Sequence, residues 1–497
     1  MNILYSSTRG ANVRVTASEA IIMGLAPDGG LFVPHTIPTL DRPLRDLASL
    51  SYQDLAYEVM QLFLTDYTEE ELRDCIRKAY GAQFDTEEIA ELSEAGDAYF
   101  LELYHGPTIA FKDMALQLLP HLMTCAMKKK GLKNEIVILT ATSGDTGKAA
   151  LAGFADVPGT QIIVFYPDHG VSRIQELQMV TQEGDNTCVI GIEGNFDDAQ
   201  NGVKKMFTDA QLEREMQKKG MQFSSANSIN IGRLVPQIVY YVYAYCKLLQ
   251  EGRIEDGEAI NIAVPTGNFG NILAAYYAMR MGLPVHKLIC ASNENKVLTD
   301  FFATGTYDRN REFILTTSPS MDILISSNLE RFIYYITGED ADRVAEFMHR
   351  LNLNGSYEIT EEMKAGLTDF CAGYAKEEEV AAAIKNTFEG HGYLIDTHTA
   401  VAAAVYEKYR RDTLDTTKTI IASTANPYKF THPVMAALGH DNRAENDFEL
   451  AEEMKQMTGM PVPEAVLRLK NAEIRHHITC TRAEMKGQIR KFLKLGE

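Results

Sequence analysis

The spacing of apolar residues divides the sequence into regions with different periodicities. In residues 1–95, segments such as SYQDLAYEVMQLFL and TEEELRDCIRKAYG repeat apolar positions every three or four residues, which predicts amphipathic helices. In residues 96–300 the pattern changes to short apolar runs, each followed by a polar or glycine-rich turn and a helical segment. The runs are AYFLELY, EIVILTA, QIIVFY, CVIGIEG, NIAVP and KLICASN. This alternation predicts βαβ units, and therefore an α/β core built on a mostly parallel, twisted sheet with flanking helices.

The rest of the chain returns to a helical pattern. Residues 301–413 are expected to form a mainly helical insertion. The apolar run TIIAS at 419–423, within residues 414–440, is expected to return to the sheet as a strand. Residues 441–497 are charged and helix-prone, which predicts a packed helical tail. Ligands of parallel sheets bind beyond the carboxyl ends of the strands, so the turns that follow these strands are where chemistry is expected.

Charge and cysteine usage narrow the class of partner. The 48 basic and 68 acidic residues give a net charge of −20, which repels nucleic acid and anionic membranes, so neither is expected as a partner. The seven scattered cysteines never form a C-x-x-C pair, which indicates neither a metal site nor a disulfide framework and suits a cytoplasmic protein. No signal peptide and no membrane span are predicted. An anionic substrate would need a local cation or a helix N-terminus in such a protein.

The turn YHGPTIAFKDMALQLL places Lys112 where a predicted strand ends and a helix opens. Position alone favours an ordinary solvated lysine, although lysine prefers the other end of a helix. Its neighbours Ala110, Phe111 and Met114 are largely apolar, however. An amine desolvated by such neighbours has a lowered pKa, which favours Schiff-base chemistry with a carbonyl. Both interpretations stay open on these residues alone.

The turn ATSGDTGKAALAGF is suited to an anion. It carries the NH groups and hydroxyls of residues 143–147 at a helix N-terminus, an arrangement that can hold a carboxylate or a phosphate. It is not a Walker A loop, because Thr142 and Ala149 stand where that motif requires glycine and serine or threonine. Ordinary helix capping in a glycine-rich turn explains the segment as well.

The turn NIAVPTGNFGNILAA packs Gly267 and Gly270 around Asn268 and Phe269. Small residues let the backbone approach a phosphate, which the dipole of the following helix would stabilise without a lysine. A single glycine-rich turn is weak evidence, since tight turns need glycine anyway. Two such turns and the unusual lysine in one sheet would together indicate a binding site.

Several segments, distributed along nearly the whole chain, carry a resemblance to a known family. They are YSSTRG with GLAPDGGLFVP, ELYHGPTIAFKDMA, TATSGDTGKAA, SRIQELQM, NSINIGRLVPQIVYY, PTGNFGNILAA and STANPYKF. In these segments the chain resembles the threonine synthases, within the fold type II pyridoxal-phosphate enzymes. The combination is specific, because neither HGPT-x-AFKD nor GNFGN with a downstream STANP is expected from composition. The resemblance implies a fold type II α/β enzyme with a helical N-terminal region and a helical insertion.

The resemblance implies a pyridoxal 5'-phosphate cofactor. Residues 96–300 would form the cofactor-binding core and include a small domain with the substrate loop. Lys112 would carry the cofactor as a Schiff base and later move protons. Thr424, within residues 414–440, would hydrogen-bond the pyridine nitrogen, and a hydroxyl there would leave the ring a weaker electron sink than a carboxylate would. The residues expected to hold the cofactor phosphate are Gly267, Asn268, Phe269, Gly270 and Asn271.

The implied substrate is O-phospho-L-homoserine, converted with water to L-threonine and phosphate by γ-elimination and β-hydration, the last step of threonine biosynthesis. The substrate carboxylate would be held by Ser143, Asp145 and Thr146. The candidates for its phosphate, two cations and then two neutral donors, are Arg233, Arg173, Ser228 and Asn230. Relatives in the wider fold type often carry Asn at position 145, which leaves open whether Asp145 contacts the ring hydroxyl of the cofactor.

Two other kinds of function fit parts of this pattern. Another fold type II enzyme, such as a threonine or serine dehydratase or a synthase acting on a related phospho-amino acid, would share the cofactor; a dehydratase would release ammonia rather than phosphate. A non-catalytic relative would bind pyridoxal phosphate or threonine and act through partners. Loss of the lysine or of the GNFGN turn would favour that alternative, and both are present. The oligomeric state is not predicted.

Overall fold

A computed structural model describes residues 2–10, 12–142, 144–168, 171–440 and 446–496 of the chain. In these residues, parallel sheets alternate with helices, so the predicted α/β class is confirmed. The first part contains β1 (Tyr5–Ser7), α1 (Ala17–Met23), β2 (Phe32–Pro34), α2 (Leu44–Leu47), α3 (Tyr52–Met60), α4 (Glu69–Ala79) and β3 (Glu91–Ala95). The helices predicted in this part are α3 and α4, and Thr68 closes the start of α4 in a capping box with Glu71.

The middle of the chain carries most of the parallel strands. Its elements are β4 (Ala98–Glu102), α5 (Asp113–Leu116), α6 (Leu119–Lys129), β5 (Glu135–Ala141), α7 (Asp145–Phe154), β6 (Thr160–Pro167), α8 (Arg173–Val180), β7 (Thr187–Ile192), α9 (Phe196–Phe207), α10 (Ala210–Lys218), β8 (Met221–Ser224), α11 (Ile231–Gln250), β9 (Ile260–Pro265), α12 (Gly270–Arg280) and β10 (Val285–Ser292). Each apolar run named above became a strand in this part, which confirms those predictions.

The last part is mainly helical. Its elements are α13 (Val297–Thr304), β11 (Thr306–Asp308), α14 (Leu329–Ile336), α15 (Ala341–Asn354), β12 (Ser356–Glu358), α16 (Glu361–Lys364), β13 (Phe370–Tyr374), α17 (Glu377–His391), α18 (Thr397–Thr413), β14 (Thr419–Ser423), α19 (Thr431–Ala437), α20 (Asp447–Thr458), α21 (Glu464–Leu467), β15 (Ile478–Cys480) and α22 (Met485–Phe492). Short 3-10 helices cover Pro319–Met321, Ala365–Leu367, Pro427–Phe430 and Arg468–Asn471.

Most of the strands form two main sheets. The larger has the order β13-β10-β9-β14-β4-β3, and the smaller has the order β15-β7-β6-β5-β8. Only β3 runs antiparallel to its neighbour in these two sheets as described. The predicted class of mostly parallel sheets is therefore confirmed, but the two glycine-rich turns do not share a sheet, because apolar periodicity marks a strand without indicating its neighbour. The turn after β5 therefore belongs to one sheet, and the turns after β4 and β9 belong to the other.

The late strand β14 returns to the larger sheet as predicted. It lies between β9 and β4, with Ser423 opposite Glu102 and Thr419 opposite Asn261. All five of its residues are buried, as is typical of a parallel strand covered by helices on both faces. The position of β14 between β9 and β4 brings the STANP segment beside the turn that carries Lys112.

Two regions predicted as helical also contribute strands. The tail supplies β15, which pairs in parallel with β7 through Thr479 and Gly191. Residues 301–413 supply the edge strand β13 and the antiparallel pair β11 and β12. The tail is otherwise helical, and β15 was not predicted because Ile478 and Thr479 are exposed in an edge strand and leave no apolar run to detect.

The helix α11 lies in the centre of the core. Nearly all of its residues are buried, although Pro236 lies inside it. Within the part of the chain that the structure describes, neither this helix nor any other has the length and apolarity that crossing a membrane requires.

A fully buried guanidinium, that of Arg331 in α14, ties three distant segments together. Its Nε donates to the carbonyl of Phe32 at 2.9 Å, and its Nη2 donates to the carbonyl of Ile229. Its Nη1 donates to the side chain of Asn328, whose own amide donates to the carbonyl of Asn268 at 3.0 Å. The planar fork of arginine suits this set of acceptors better than a lysine would. Arg331 thus joins β2, the start of α11 and the turn after β9.

Arg331→Met should destabilise the protein strongly, because it leaves buried carbonyl groups without donors. Each such group costs about 1–3 kcal/mol, so we expect the free energy of unfolding to fall by about 3 kcal/mol or more. Urea unfolding followed by circular dichroism measures this change. Arg331→Lys is the matched control, since it keeps the charge but reaches fewer acceptors, and its loss should be intermediate. A loss below about 0.5 kcal/mol in Arg331→Met, the range of ordinary surface changes, would contradict this role.

Candidate active site

The turn that carries Lys112 is pinned against the end of β14. Ala110 forms an antiparallel bridge with Ala425, and the NH of Phe111 donates to the carbonyl of Thr424 at 2.8 Å. Ile109 in this turn has a φ of 52°, which is strained for a β-branched residue. Lys112 follows directly and precedes α5, as predicted. These contacts fix the backbone just before the lysine, and α5 begins directly after it.

The amine of Lys112 is buried in a polar setting. Its Nζ lies 3.5 Å from Asp145 Oδ2 and 3.4 Å from Ser320 Oγ, and 4.8 Å from the centre of the Phe111 ring. Burial lowers the pKa of Lys112 below its usual value; Asp145 opposes this shift, while the nearby cations Lys429 and Arg233 add to it. The solvated alternative for Lys112 is thereby excluded, and the amine is primed for nucleophilic and proton-transfer chemistry.

Asp145 is the centre of a buried ionic cluster. Its Oδ1 lies 3.0 Å from Nζ of Lys429 and accepts from Nε2 of Gln175 at 2.9 Å. Its Oδ2 accepts from Oγ of Ser320 at 2.9 Å. Burial alone would raise the pKa of Asp145, but Lys429 and Lys112 outweigh it and hold that pKa well below the usual range. A carboxylate ionised in this way repels the carboxylate of a substrate, so its side chain is not suited to the binding role that the sequence suggested.

The rest of the turn after β5 is partly used by its own residues. The hydroxyl of Thr142 accepts from the NH groups of Gly144 and Gly147, at 3.0 and 2.9 Å. Thr146 is half-buried in the first turn of α7. Ser143 lies outside the described residues. The anion-binding capacity of this turn is therefore smaller than its sequence suggests, with the helix N-terminus at Asp145 and Thr146 as its remaining part.

The turn after β9 lies beside Ser320. A Cβ added to Gly267 would lie 2.9 Å from the carbonyl oxygen of Ser320, so only glycine fits there without a shift. Phe269 has a φ of 64° and stacks its ring in a cluster with Phe302 and Phe370. Its side chain therefore anchors the turn. Asn268 is exposed at the tip of the turn.

Asn271 presents an unpaired donor in this turn. The hydroxyls of Tyr240 and Tyr241 both donate to its Oδ1, the first at 2.7 Å. Its Nδ2 is buried and has no hydrogen-bond partner among the described residues. A buried polar group in this state is costly unless something binds it. An anionic oxygen beside the start of α12 would satisfy it, which fits a phosphate group at this turn.

The two arginines proposed for the substrate phosphate have different surroundings. Arg233 is 3% exposed in α11, donates through Nη1 to the carbonyl of Ala226 at 3.1 Å, and leaves its Nε unpaired. Burial lowers the pKa of Arg233 to about 10, and no acidic side chain in the described ranges forms a salt bridge with it. The side chain of Arg173 is 52% exposed and pairs with Glu176 at 2.7 Å. Arg233 is thus a buried cation that lacks a counter-ion, and Arg173 is a surface residue.

Asn230 and Ser228 are the residues that the sequence predicts as neutral donors to the substrate phosphate. The amide of Asn230 already donates to the carbonyls of Ile21 and Ser225, at 3.0 and 2.9 Å, and its oxygen caps α11. All its hydrogen-bonding capacity is therefore used within the protein, which makes it a structural cap and not a free donor. Ser228 is half-buried in the turn just before this cap.

Four site residues were missed by the sequence analysis. Lys429 and Gln175 lie within quoted segments, STANPYKF and SRIQELQM, but nothing in those segments points to Asp145 as their partner. Ser320 comes from the predicted insertion, and its NH donates to Nε2 of His398 at 3.2 Å. His398 in turn contacts Asp396 through Nδ1 at 2.8 Å, which fixes the ring. Both residues are far from Lys112 in the sequence, so only the fold brings them to it.

Comparison with known proteins agrees with this geometry. Three family descriptions match the chain: "Threonine synthase N terminus" over residues 4–80, "Pyridoxal-phosphate dependent enzyme" over 85–355 and "Threonine synthase, C-terminal" over 399–478. The threonine synthase of Saccharomyces cerevisiae is 37% identical over 92% of this chain and 93% of its own. The chain belongs to the threonine synthase family.

Other members of this family include proteins of different length. The human protein "Threonine synthase-like 1" is 41% identical over 85% of this chain, but the chain spans only 58% of the length of that relative. A solved structure of PLP-bound threonine synthase from Brucella melitensis superposes with a TM-score of 0.87 at 34% identity, covering 99% of both chains. The fold type II architecture expected from the resemblance is thereby confirmed.

The two glycines of the turn after β9 should respond differently to an added methyl group. A Cβ on Gly270 would lie 3.4 Å from Asn328 Nδ2, an ordinary contact, whereas the Cβ on Gly267 would clash. Gly270→Ala should therefore keep the stability of the cofactor-free protein but bind pyridoxal phosphate roughly tenfold or more weakly, about 1.4 kcal/mol. Gly267→Ala should lose both stability and affinity.

Thermal unfolding of the cofactor-free protein and titration with pyridoxal phosphate by visible absorbance separate these effects. Met279→Leu, on the surface-facing part of α12, serves as the control and should change neither quantity. Wild-type affinity in Gly270→Ala would mean that the turn has a structural role only.

Proposed function

We propose that the chain is a pyridoxal-phosphate-dependent threonine synthase, which converts O-phospho-L-homoserine and water to L-threonine and phosphate. Three groups support this proposal: a buried lysine amine, an unpaired amide donor at a helix N-terminus, and a buried guanidinium that acts on this lysine and forms no salt bridge with the described residues. These groups suit, respectively, an aldehyde, the phosphate of a cofactor and a second phosphate on a substrate. Family membership supports the same chemistry.

The residues of the chain fit pyridoxal phosphate. The turn after β9 would hold its phosphate through the backbone of residues 267–270 and through the free amide hydrogens of Asn271. Lys112 would bind its aldehyde. Thr424, at the carboxyl end of β14, would face its ring nitrogen with a hydroxyl, since Thr424 is bonded through its backbone to the Lys112 turn. When bound, this group supplies an electron sink that stabilises negative charge next to the substrate amine.

Lys112 serves as the acid and base of the proposed reaction. Its amine would take the proton from Cα of the substrate and move protons at Cβ and Cγ as phosphate leaves and water adds. A lowered pKa favours the free amine, which such a base requires near neutral pH. Ser320 Oγ, within 3.4 Å of Nζ, limits the positions that the amine can occupy.

Arg233 is the proposed ligand of the substrate phosphate. Its unpaired Nε and its remaining donors suit the oxygens of a dianion, and its charge persists over the working range of pH. The NH groups at the start of α7 are proposed for the substrate carboxylate, with the Asp145 and Thr146 backbone in that role in place of the Asp145 side chain. The cytoplasmic location and the absence of nucleic-acid and membrane partners stay predictions.

The decisive experiment follows three products at once. Purified protein loaded with pyridoxal phosphate is incubated with O-phospho-L-homoserine, and phosphate, threonine and ammonia are measured in the same samples. We expect phosphate and threonine in equal amounts without ammonia. Ammonia together with a keto acid would indicate a dehydratase, and no product with tight cofactor binding would indicate a non-catalytic relative.

Lys112→Ala should abolish turnover, because one amine serves both as the attachment point and as the proton carrier. Borohydride treatment of the loaded wild-type protein should fix the cofactor to the peptide that contains Lys112, as mass spectrometry can detect. The matched control is Lys148→Ala, another buried lysine of the same region, which should leave the labelled peptide unchanged. Label on a different lysine would disprove the assignment.

Arg233→Ala should keep cofactor binding but lose most of its kcat/KM for O-phospho-L-homoserine. Removing a buried charged partner costs about 2–5 kcal/mol, so the loss should be roughly thirtyfold or greater. Arg173→Ala is the matched control, and as a surface residue paired with Glu176 it should retain kcat/KM within about twofold. If Arg173→Ala instead shows the large loss and Arg233→Ala retains kcat/KM, Arg173 binds the phosphate and Arg233 is structural.

A further inference from the structure

Lys429 is a second buried lysine beside Asp145 that the proposed reaction does not use. Its side chain is fully buried, and its Nζ lies 3.0 Å from Asp145 Oδ1 while donating to the carbonyl of Thr108 at 2.9 Å. It follows β14 in the larger sheet, whereas Asp145 opens α7 after a strand of the smaller sheet. Lysine is almost never buried this completely unless it is paired with an anion, so the position of Lys429 indicates a role beyond packing.

The geometry of Asp145 indicates what Lys429 does. The carboxylate makes three contacts of 3.0 Å or less, to Lys429, Gln175 and Ser320. Its contact with Lys112 is the longest of the four, at 3.5 Å. Three other donors therefore occupy most of the acceptor sites of the Asp145 carboxylate, and Lys112 is held only loosely.

We propose that Lys429 is a positioning residue, which ties up the Asp145 carboxylate so that the amine of Lys112 stays free to exchange bonds with the cofactor and the substrate. Without Lys429, a lone buried carboxylate would pair tightly with Lys112 and keep it as an ammonium ion. The inference rests on the proposed function only in taking Lys112 as the reacting amine.

The charged side chains that act on Lys112, Asp145 and Lys429 come from several elements of the fold. Asp145, Lys429 and Arg233 act directly on Lys112, and burial together with Lys429 and Arg233 lowers its pKa. Asp113 and Lys148 interact electrostatically with Lys429, and His398 acts on Asp145. Among these, Lys148 is a buried lysine whose amine donates to Gln182 at 2.7 Å, so it resembles Lys429 in burial but does not contact Asp145.

Single substitutions of Lys429 and of Asp145 should have opposite effects on the pH at which Lys112 becomes reactive. Lys429→Met removes a cation and should raise the pH at which Lys112 becomes reactive by about one unit or more. Asp145→Asn removes the anion and should lower that pH. The double variant Asp145→Asn with Lys429→Met should lie between the two single variants, since both charges are gone.

The measurement uses the full chain freed of cofactor. Reductive methylation with formaldehyde and cyanoborohydride is run across a series of pH values, and mass spectrometry of the peptide with Lys112 gives the midpoint of its reactivity. Lys148→Met is the matched control and should leave that midpoint unshifted. This readout needs neither substrate nor turnover, so it separates failure of this proposal from failure of the proposed function.

The pH profile of kcat in the loaded enzyme provides a second readout, whose acidic limb should move in the same direction as the methylation midpoint. An unshifted midpoint in a cooperatively folded Lys429→Met protein would overturn the proposal. So would an equal shift in Lys148→Met. If Lys429→Met alone does not fold, the double variant decides, because its midpoint must lie above that of Asp145→Asn and equality would overturn the proposal.

Discussion

The buried charge of Asp145 is the constraint on which the rest of the site depends. The carboxylate belongs to the smaller sheet, through the turn after β5, and its cationic partners Lys112 and Lys429 belong to the larger one. Burying an ion is costly unless its partners are close and well oriented. The two sheets must therefore meet at this point in one arrangement, and that arrangement also aligns the turns proposed to hold the cofactor and the substrate.

The supporting contacts extend this constraint outward. Ser320 bridges Asp145 and Lys112, and its backbone is fixed by His398. The same residue closes over Gly267, so the turn after β9 is packed against the ionic cluster. Arg331 then links that turn to the start of α11, where Arg233 lies. The proposed sites for two phosphates are thus parts of one continuous network of buried hydrogen bonds.

The sequence predicted the interior of the fold better than its edges. The strands recognised as apolar runs are all interior members of their sheets, namely β4, β5, β6, β7, β9, β10 and β14. In the two main sheets, the strands that were not predicted are the four edge strands β3, β8, β13 and β15, and each has partly exposed residues. An edge strand is covered on fewer sides, so its sequence does not need a continuous run of apolar residues.

The site was predictable to a similar degree. Lys112 and the turn after β9 could be predicted from local sequence, because a lysine among apolar neighbours at a helix start and clustered glycines can be recognised in a short segment. Ser320 and His398 left no such signal, since their role comes from contacts across 208 and 78 residues of sequence. Asn230 shows the opposite case. Its sequence position suggests a free amide donor, but in the fold this amide donates to the carbonyls of Ile21 and Ser225.

The strand β15 has a consequence for how the protein is made. It covers the edge of β7, and Cys480, Met485 and Ile489 complete the apolar core beneath the smaller sheet. These residues lie far downstream of β7 in the sequence, so they leave the ribosome much later than that strand. Until then β7 is an open edge above an uncovered apolar face, which can pair with another chain. The smaller sheet can therefore close only after β15 and α22 have been synthesised, and nascent chains depend on protection from aggregation up to that moment.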